Sequence, residues 1–503
     1  MDILNHLALG FSVAFSLTNL FFCFLGVLIG TLIGVLPGIG PVATISLLLP
    51  VTFGMDPVAS IIMLAGIYYG AMYGGSTTSI LVNIPGETAS IITCLDGYQM
   101  ARNGRAGPAL GISAFGSFIG GTASIIGLML LAPFLARLAL KFGPVEYFAL
   151  MLFGLTMVTY LCMGSIIKGL IMVVAGLAVS TIGMDTINAQ TRFTLGSLTL
   201  VDGVGIVPVA MGMFGLAEVM TNIEEGIKQE IFKTRISGLL PTLKDWIDSK
   251  WPIVRGTLIG FFMGILPGSG TVIPTFISYS VEKRFSRHPE KFGTGVIEGV
   301  AAPETANNAA TGGSMVTLLS LGIPANVGTA VLLGAFIIHG IHPGPLLISN
   351  HPALFWGTIA SMYLGNVMLL ILNLPLIGIW VKILKVPYHI LFPFIILFCF
   401  LGVYSLNSNI YEILIMLVFG MFGYLMRKFG FEGAPFMMGL VLGPMFELAF
   451  RQSLLYGNPF IFFRRPISVV LLVISLFLLI SPIFSEISQR RKKLKKVLEQ
   501  EGL

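Results

Sequence analysis

No Lys or Arg occurs before Arg102, and none occurs between Lys291 and Lys382. Stretches of this length, rich in Leu, Ile, Gly and Phe and free of positive charge, cannot form the solvated surface of a water-soluble fold. They suit hydrocarbon. Composition agrees: 10% of the 503 residues are charged, against about 25% in soluble domains. Hydrophobic residues make up 55% and the mean hydropathy is +0.92. A soluble enzyme, a disordered chain and a nucleic-acid binder are excluded. The pI near 9.1 does not reverse this, because the positive charge is local. Ten of the 29 basic residues lie in 224–291 and six in 486–503.

The expected fold is therefore an all-α polytopic membrane protein, with roughly 10–14 membrane segments at about 20 residues per span. Several apolar segments are too short to span and end in Gly/Pro clusters, which predicts broken or re-entrant helices. The start MDILNHLALG lacks a basic n-region, so no signal peptide is expected. The expected division is an interfacial segment 1–17, a first repeat 18–223, a polar cytoplasmic connection 224–251 and a second repeat 252–450. A C-terminal membrane segment 451–485 and a basic cytoplasmic tail 486–503 follow. The four cysteines are far apart and the six histidines lack metal spacing, so no metal site or disulfide is expected.

Two repeats follow from self-similarity. Residues 26–40 read GVLIGTLIGVLPGIG and residues 256–270 read GTLIGFFMGILPGSG, with nine identities in 15 ungapped positions. Downstream, Gly74-Gly75-Ser76 pairs with Gly312-Gly313-Ser314, and Ile84-Pro85 with Ile323-Pro324 after a slip of one residue. The charges bear on orientation. Both flanks of the first LPG motif lack basic residues, whereas the second is flanked by Lys244, Lys250, Arg255, Lys283, Arg284, Arg287 and Lys291. Beyond the motif the bias reverses, with Arg102 and Arg105 in the first half and none from 292 to 381 in the second. By the positive-inside rule, equivalent loops then lie on opposite faces, which predicts an inverted repeat. A parallel duplication is the alternative. Inverted repeats with broken helices are the architecture of secondary transporters, whose sites form at the midplane.

Two constellations carry candidate chemistry. At the LPGxG turns, Pro37 and Pro267 break a helix and Gly38, Gly40, Gly268 and Gly270 allow a tight turn. Free N–H groups of the half-helix that follows favour a carboxylate. The plain alternative is a kink that only packs helices. The second constellation is polar: Ser76, Thr77, Thr78, Ser79 and Asn83 in one half, Asn307, Asn308, Ser314 and Thr317 in the other. Hydroxyls and amides can wrap an oxyanion without the cost of a buried fixed charge. Ser and Thr can also merely bind helices together. The candidate substrate-binding set is Pro37, Gly38, Gly40, Ser76 to Ser79, Asn83, Gly268, Ser269, Gly270, Asn307, Asn308, Ser314 and Thr317. Glu87 and Glu304, intramembrane carboxylates, join Thr44 and Thr271 as coupling-ion candidates. No GxxxxGK[ST] is present and no His accompanies Ser76 or Ser314, so neither an ATPase nor a serine hydrolase is expected.

The stretches GVLPGIGP (34–41), GIYYGAMYGGSTTSILVNIPGE (66–87), CLDGYQMARNGRAGPAL (94–110) and APETANNAATGGSMVTLLSLGIP (302–324) resemble the large permease subunit of tripartite tricarboxylate transporters, the TctA-type family. The resemblance covers essentially the whole chain. It implies a non-enzymatic secondary transporter of the bacterial inner membrane that takes up tricarboxylates, dicarboxylates or aromatic acids. It further implies Na⁺ or H⁺ coupling, no cofactor, a periplasmic solute-binding protein and a small four-helix membrane subunit. Asp96, Gly97, Tyr98, Arg102 and Arg105 belong to one of these motifs and read as a cytoplasmic loop closing the first hairpin. Two other readings are a stand-alone organic-anion carrier and a structural or lipid-handling membrane protein.

Overall fold

The computed structural model describes residues 3–36, 40–160, 165–185, 187–225, 238–384, 388–455 and 459–481. Pro37, Gly38, much of the polar connection and the basic tail lie outside the described residues. Among the described residues the regular structure is helical apart from a two-stranded antiparallel ladder, Gly183–Met184 with Thr191–Arg192. Among the described residues, seven helices are long and apolar enough to cross a membrane, and six apolar ones are shorter. It is a multi-pass membrane protein.

Ten helices carry the repeated motifs and the candidate residues. In the first half they are α1 (Leu17–Val35), α2 (Pro41–Leu48), α3 (Pro57–Val82), α4 (Ile91–Arg102) and α5 (Ala106–Ala139). In the second half they are α6 (Leu243–Ile265), α7 (Val272–Phe285), α8 (Glu298–Leu321), α9 (Val327–Ile338) and α10 (Pro352–Asn373). Local chemistry sets the boundaries. Asp56 accepts from the Val58 and Ala59 N–H groups ahead of Pro57 and so starts α3. Thr242 and Asp245 form a capping box that starts α6. Asn83 (φ 59°) and Gly322 (φ 71°) end α3 and α8 in the left-handed conformation.

Within each half the first arm packs along the long central helix, α1 on α3 and α6 on α8. Glycines make the approach possible. A Cβ on Gly26, Gly30 or Gly34 would strike the carbonyl oxygens of Met63, Ile67 and Ala71. On Gly256, Gly260 or Gly264 it would strike those of Ala302, Ala306 and Ala310. This is small-residue packing of the membrane type, repeated at the same spacing. Between halves the contacts exchange partners. Helix α5 packs on α8 and α10 on α3; α6 packs on α5 and α1 on α10; α7 packs on α4 and α2 on α9. The two central helices run antiparallel. Ser76, late in α3, meets Glu304, early in α8, while the earlier Tyr68 meets the later Ser314.

The glycine contacts revise one pairing. Gly74 faces the Thr31 carbonyl and Gly313 faces the Phe261 carbonyl, at equivalent points of α1 and α6. Gly74 therefore corresponds to Gly313, not Gly312, and the slip lies ahead of the helix rather than inside it. On this register Asn83 matches Gly322, and Glu87 matches Asn326. Ser76 and Ser314 are not equivalents.

Two helices also begin or end away from the apolar segments. The run GGSTTS continues α3 to Val82, and APETANN starts α8 at Glu298. Hydroxyls there bond back to the preceding turn, as Ser79 does to Gly75 and Ser314 to Ala310. Polar residues thus stay helical while buried. Asp96-Gly97-Tyr98 is likewise helical, within α4, rather than a loop. The Asp96 carboxylate accepts from the N–H groups of Gly293, Gly295 and Val296 and from the Tyr279 hydroxyl. That ties α4 to the α7–α8 connection. The N-terminal helix Ile3–Ala14 packs on α10, with the His6 ring stacked 5.0 Å from Trp356.

Candidate functional site

Each half has two helix ends in corresponding places: one before the LPG turn, at Val35 and Ile265, and one before the Ile-Pro segment, at Val82 and Leu321. In the second half these breaks touch. The Gly268 N–H donates to the Ala325 carbonyl at 2.7 Å, and Gly270 lies against Asn326. Gly268 (φ 87°) and Gly270 (φ 59°) take left-handed conformations that favour glycine. The Ser269 hydroxyl donates to the Met263 and Leu266 carbonyls, which caps α6. In the first half Gly86 lies against the Gly34 carbonyl at the end of α1. The Thr78 hydroxyl donates to the Val35 carbonyl at 2.7 Å, so it satisfies a helix end.

The capping residues at the Ile-Pro breaks reach across the molecule. Asn326 starts α9 with a capping box and donates from Nδ2 to the Tyr68 hydroxyl at 2.8 Å and to Ser314 Oγ at 3.0 Å. Glu87, in the corresponding place, caps its own short turn and accepts from Asn307 Nδ2 at 3.0 Å. Tyr68 and Asn307 are themselves equivalent on the revised register. The two cross-half bonds are thus the same contact made twice with different chemistry.

Glu304 has no such counterpart, because Ala65 occupies its place in α3. Its carboxylate is buried and accepts from the hydroxyls of Ser76 and Thr93, with Ser113 also bonded to it. The Asn308 side chain donates to Ser117 Oγ at 2.7 Å and to the Glu304 carbonyl. Among the described residues no Lys, Arg or His pairs with Glu87 or Glu304. Two buried carboxylates without a fixed counter-charge are costly unless a mobile cation or proton joins them.

The residues singled out from sequence thus divide. Ser76, Ser79, Glu87, Asn307, Asn308 and Glu304 gather in one buried cluster. Ser314, Gly268, Ser269 and Gly270 gather in the other. Thr77 and Thr317 are buried along the central helices, and Thr317 bonds back to Ser314. Thr44 bonds back to the Gly40 carbonyl, and Gly40 and Thr271 precede the second arms. Asn83 stands apart, exposed at the end of α3. Tyr68, Ser90, Thr93, Ser113, Ser117 and Asn326 belong to the clusters and were not singled out. Asn326 had a signal, since it follows Ile323-Pro324 as Glu87 follows Ile84-Pro85.

The family model described as "Tripartite tricarboxylate transporter TctA family" matches residues 20–438. The chain belongs to the tripartite tricarboxylate transporter TctA family. Membership makes it a large subunit of a tripartite transporter. Two similar proteins come from Agrobacterium vitis. One, the "Uncharacterized 52.8 kDa protein in TAR-I ttuC' 3'region", is 49% identical over 98% of this chain and 99% of its own length. The other, the "Uncharacterized protein in TAR-II ttuC' 3'region", is 48% identical over 46% of this chain and 97% of its own. No solved structure matches the chain.

A cavity of about 980 Å³ lies elsewhere, along the outer part of α9, with Arg192, His342, Glu412, Glu447 and Arg451 in its lining. None of the residues of the candidate set lines it. Its two arginines are already paired: Arg192 donates to both Glu447 oxygens at 2.8 and 3.1 Å, and Arg451 to Asp185 at 2.8 Å. Their charge is spent on holding the rim together, which weakens this cavity as an anion site. The buried clusters remain the candidate.

Proposed function

We propose that the protein takes up small carboxylates across the bacterial inner membrane, driven by an ion gradient. It works with a periplasmic solute-binding protein and a small four-helix membrane subunit. The substrate's carboxylates lie between the two sets of breaks, where half-helix N–H groups and the turn residues beside Ser314 provide donors. The coupling ion is drawn to the side of Glu87 and Glu304. The observation that carries this reading is the pair of buried carboxylates without cationic partners, at the meeting of two broken, repeated segments in a chain of this family.

We further propose that the halves form an inverted repeat, with cytoplasmic basic loops. The antiparallel run of α3 and α8, which are equivalent helices, supports it. A duplication about an axis along the membrane normal would set equivalent helices parallel.

The test is uptake of radiolabelled tri- and dicarboxylates by right-side-out vesicles containing the three components. Uptake should require all three and collapse with the ion gradient. Glu304→Gln should lower the initial rate on the order of 10-fold, within the range of a typical coupling free energy, with unchanged membrane insertion. Uptake that survives Glu87→Gln, Glu304→Gln and Ser314→Ala would sink the site. Full uptake without the binding protein would point instead to a stand-alone carrier.

A further inference from the structure

The two Ile-Pro breaks are built alike and filled differently. At the second break the amide of Asn326 is fully used. Its Oδ1 accepts from the Thr329 N–H at 3.0 Å, and its Nδ2 donates to Tyr68 and Ser314. At the first break the capping residue is an acid. Glu87 Oε2 accepts from the Ala89 N–H at 2.7 Å, and Oε1 accepts from Asn307 Nδ2. Glu87 is 6% exposed and Asn307 1%. The other end of that amide, Asn307 Oδ1, is buried and finds no donor among the described residues.

A carboxylate and an unpaired amide oxygen therefore lie within the span of one side chain. The Gly34 carbonyl at the end of α1 lies against the neighbouring Gly86. Glu304, one turn earlier on α8, adds a second negative charge, its oxygens already held by hydroxyls. This is an all-oxygen, anionic surrounding of the kind hard cations take.

A proton fits it less well than a metal ion. A proton on Glu87 must be donated, and the orphaned acceptor beside it is Asn307 Oδ1. Turning the amide to accept it would strip Nδ2 of its acceptor, so one buried orphan is exchanged for another. A Na⁺ between Glu87 and Asn307 Oδ1 leaves the Nδ2 bond intact and leaves no orphan.

Building on the carrier role set out above, we propose that Glu87 and Asn307 hold the coupling Na⁺ at the first Ile-Pro break, with Glu304 as a balancing charge outside the ligand shell. The pseudo-equivalent Asn326 break binds no cation.

Thermal unfolding of the purified full-length protein tests this, with NaCl replaced by KCl at constant ionic strength, at pH 7.5 and 5.5. Na⁺, and not K⁺, should raise the melting temperature in a saturable way, as any ligand of the native state does. Asn307→Ala should raise the half-saturating Na⁺ concentration about 10-fold or more, since even an outer-shell partner is worth about 10–100-fold. Asp185→Asn, which removes a carboxylate far from the site, should leave it unchanged. Should Asn307→Ala not fold, Glu87→Gln decides: loss of the Na⁺ response supports the site and its persistence overturns it. The proposal is also overturned if K⁺ acts as well as Na⁺, or if acidification alone gives the whole shift. A Na⁺-silent protein that still takes up carboxylates loses this site and keeps its transport role. A Na⁺-responsive protein that takes up none keeps the site and loses the transport role.

Discussion

At Glu304, size and charge make separable contributions. Glu304→Gln keeps the shape; its Oε1 still accepts from a hydroxyl and its Nε2 donates to another that turns to accept, so stability should change little or rise as a buried charge is removed. Glu304→Ala strands those hydroxyls and opens a cavity. It should cost about 1–3 kcal/mol for each group left unsatisfied, read as a lower melting temperature. A larger loss in Gln than in Ala would refute this account of the pocket. Asp185 makes a different prediction, at the rim of the large cavity. The Arg451 guanidinium, helped by the Ile187 and Asn188 N–H groups, holds its carboxyl at about 2. The unfolded value is about 3.9. The stabilisation is therefore complete above pH about 4 and lost as pH falls towards 2. Proteolysis of the 181–192 segment should rise through that window in the native chain, and should be high throughout in Arg451→Gln. Glu87 and Glu304 were legible in the sequence because acids are rare in apolar surroundings. Thr93 and Ser113 were not, because a lone hydroxyl on a helix carries no mark of what it faces.

Among the elements, the glycine ladders of α1 and α6 set how closely the arms approach. A methyl at Gly30 would sit 2.6 Å from the Ile67 carbonyl oxygen, and one at Gly260 would meet the Ala306 carbonyl. Gly30→Ala and Gly260→Ala should each destabilise by about 1–3 kcal/mol through overpacking. Equal falls in melting temperature are expected, because the two contacts are equivalent. A neutral Gly30→Ala would show that the arm can move away, and the packing account would fail. The repeat itself was plain in the sequence, since Gly-x-x-x-Gly and Leu-Pro-Gly recur without a gap. The register of α3 against α8 was not. Adjacent glycines at 74–75 and 312–313 align equally well in two ways, and only the carbonyls they approach decide between them. The polar start of α8 is hard to read from the sequence for a related reason. Membrane depth is inferred from apolar runs, and APETANN is buried by protein rather than by lipid.

For the whole molecule, the orientation of the two halves is the property to test. Asp56→Cys and Arg287→Cys place labels at exposed positions of equivalent connections. With the native cysteines replaced, the Asp56→Cys chain should react with an impermeant maleimide added outside the inner membrane, and the Arg287→Cys chain only after permeabilisation. Equal reactivity from outside would refute the inverted arrangement. The exchange of partners between halves bears on how the chain is made. Helix α3 is 94% buried across its most apolar stretch, and part of its cover, α8 and α10, belongs to the other half. At about 5–20 residues per second, the ribosome needs on the order of ten seconds to a minute to go from Val82 to Leu321. Through that interval Tyr68, Tyr73 and Ser76 have no partners from the later half. Biogenesis of this protein therefore includes a waiting step, in which a polar-faced helix sits in the insertion machinery or in lipid until its antiparallel counterpart arrives.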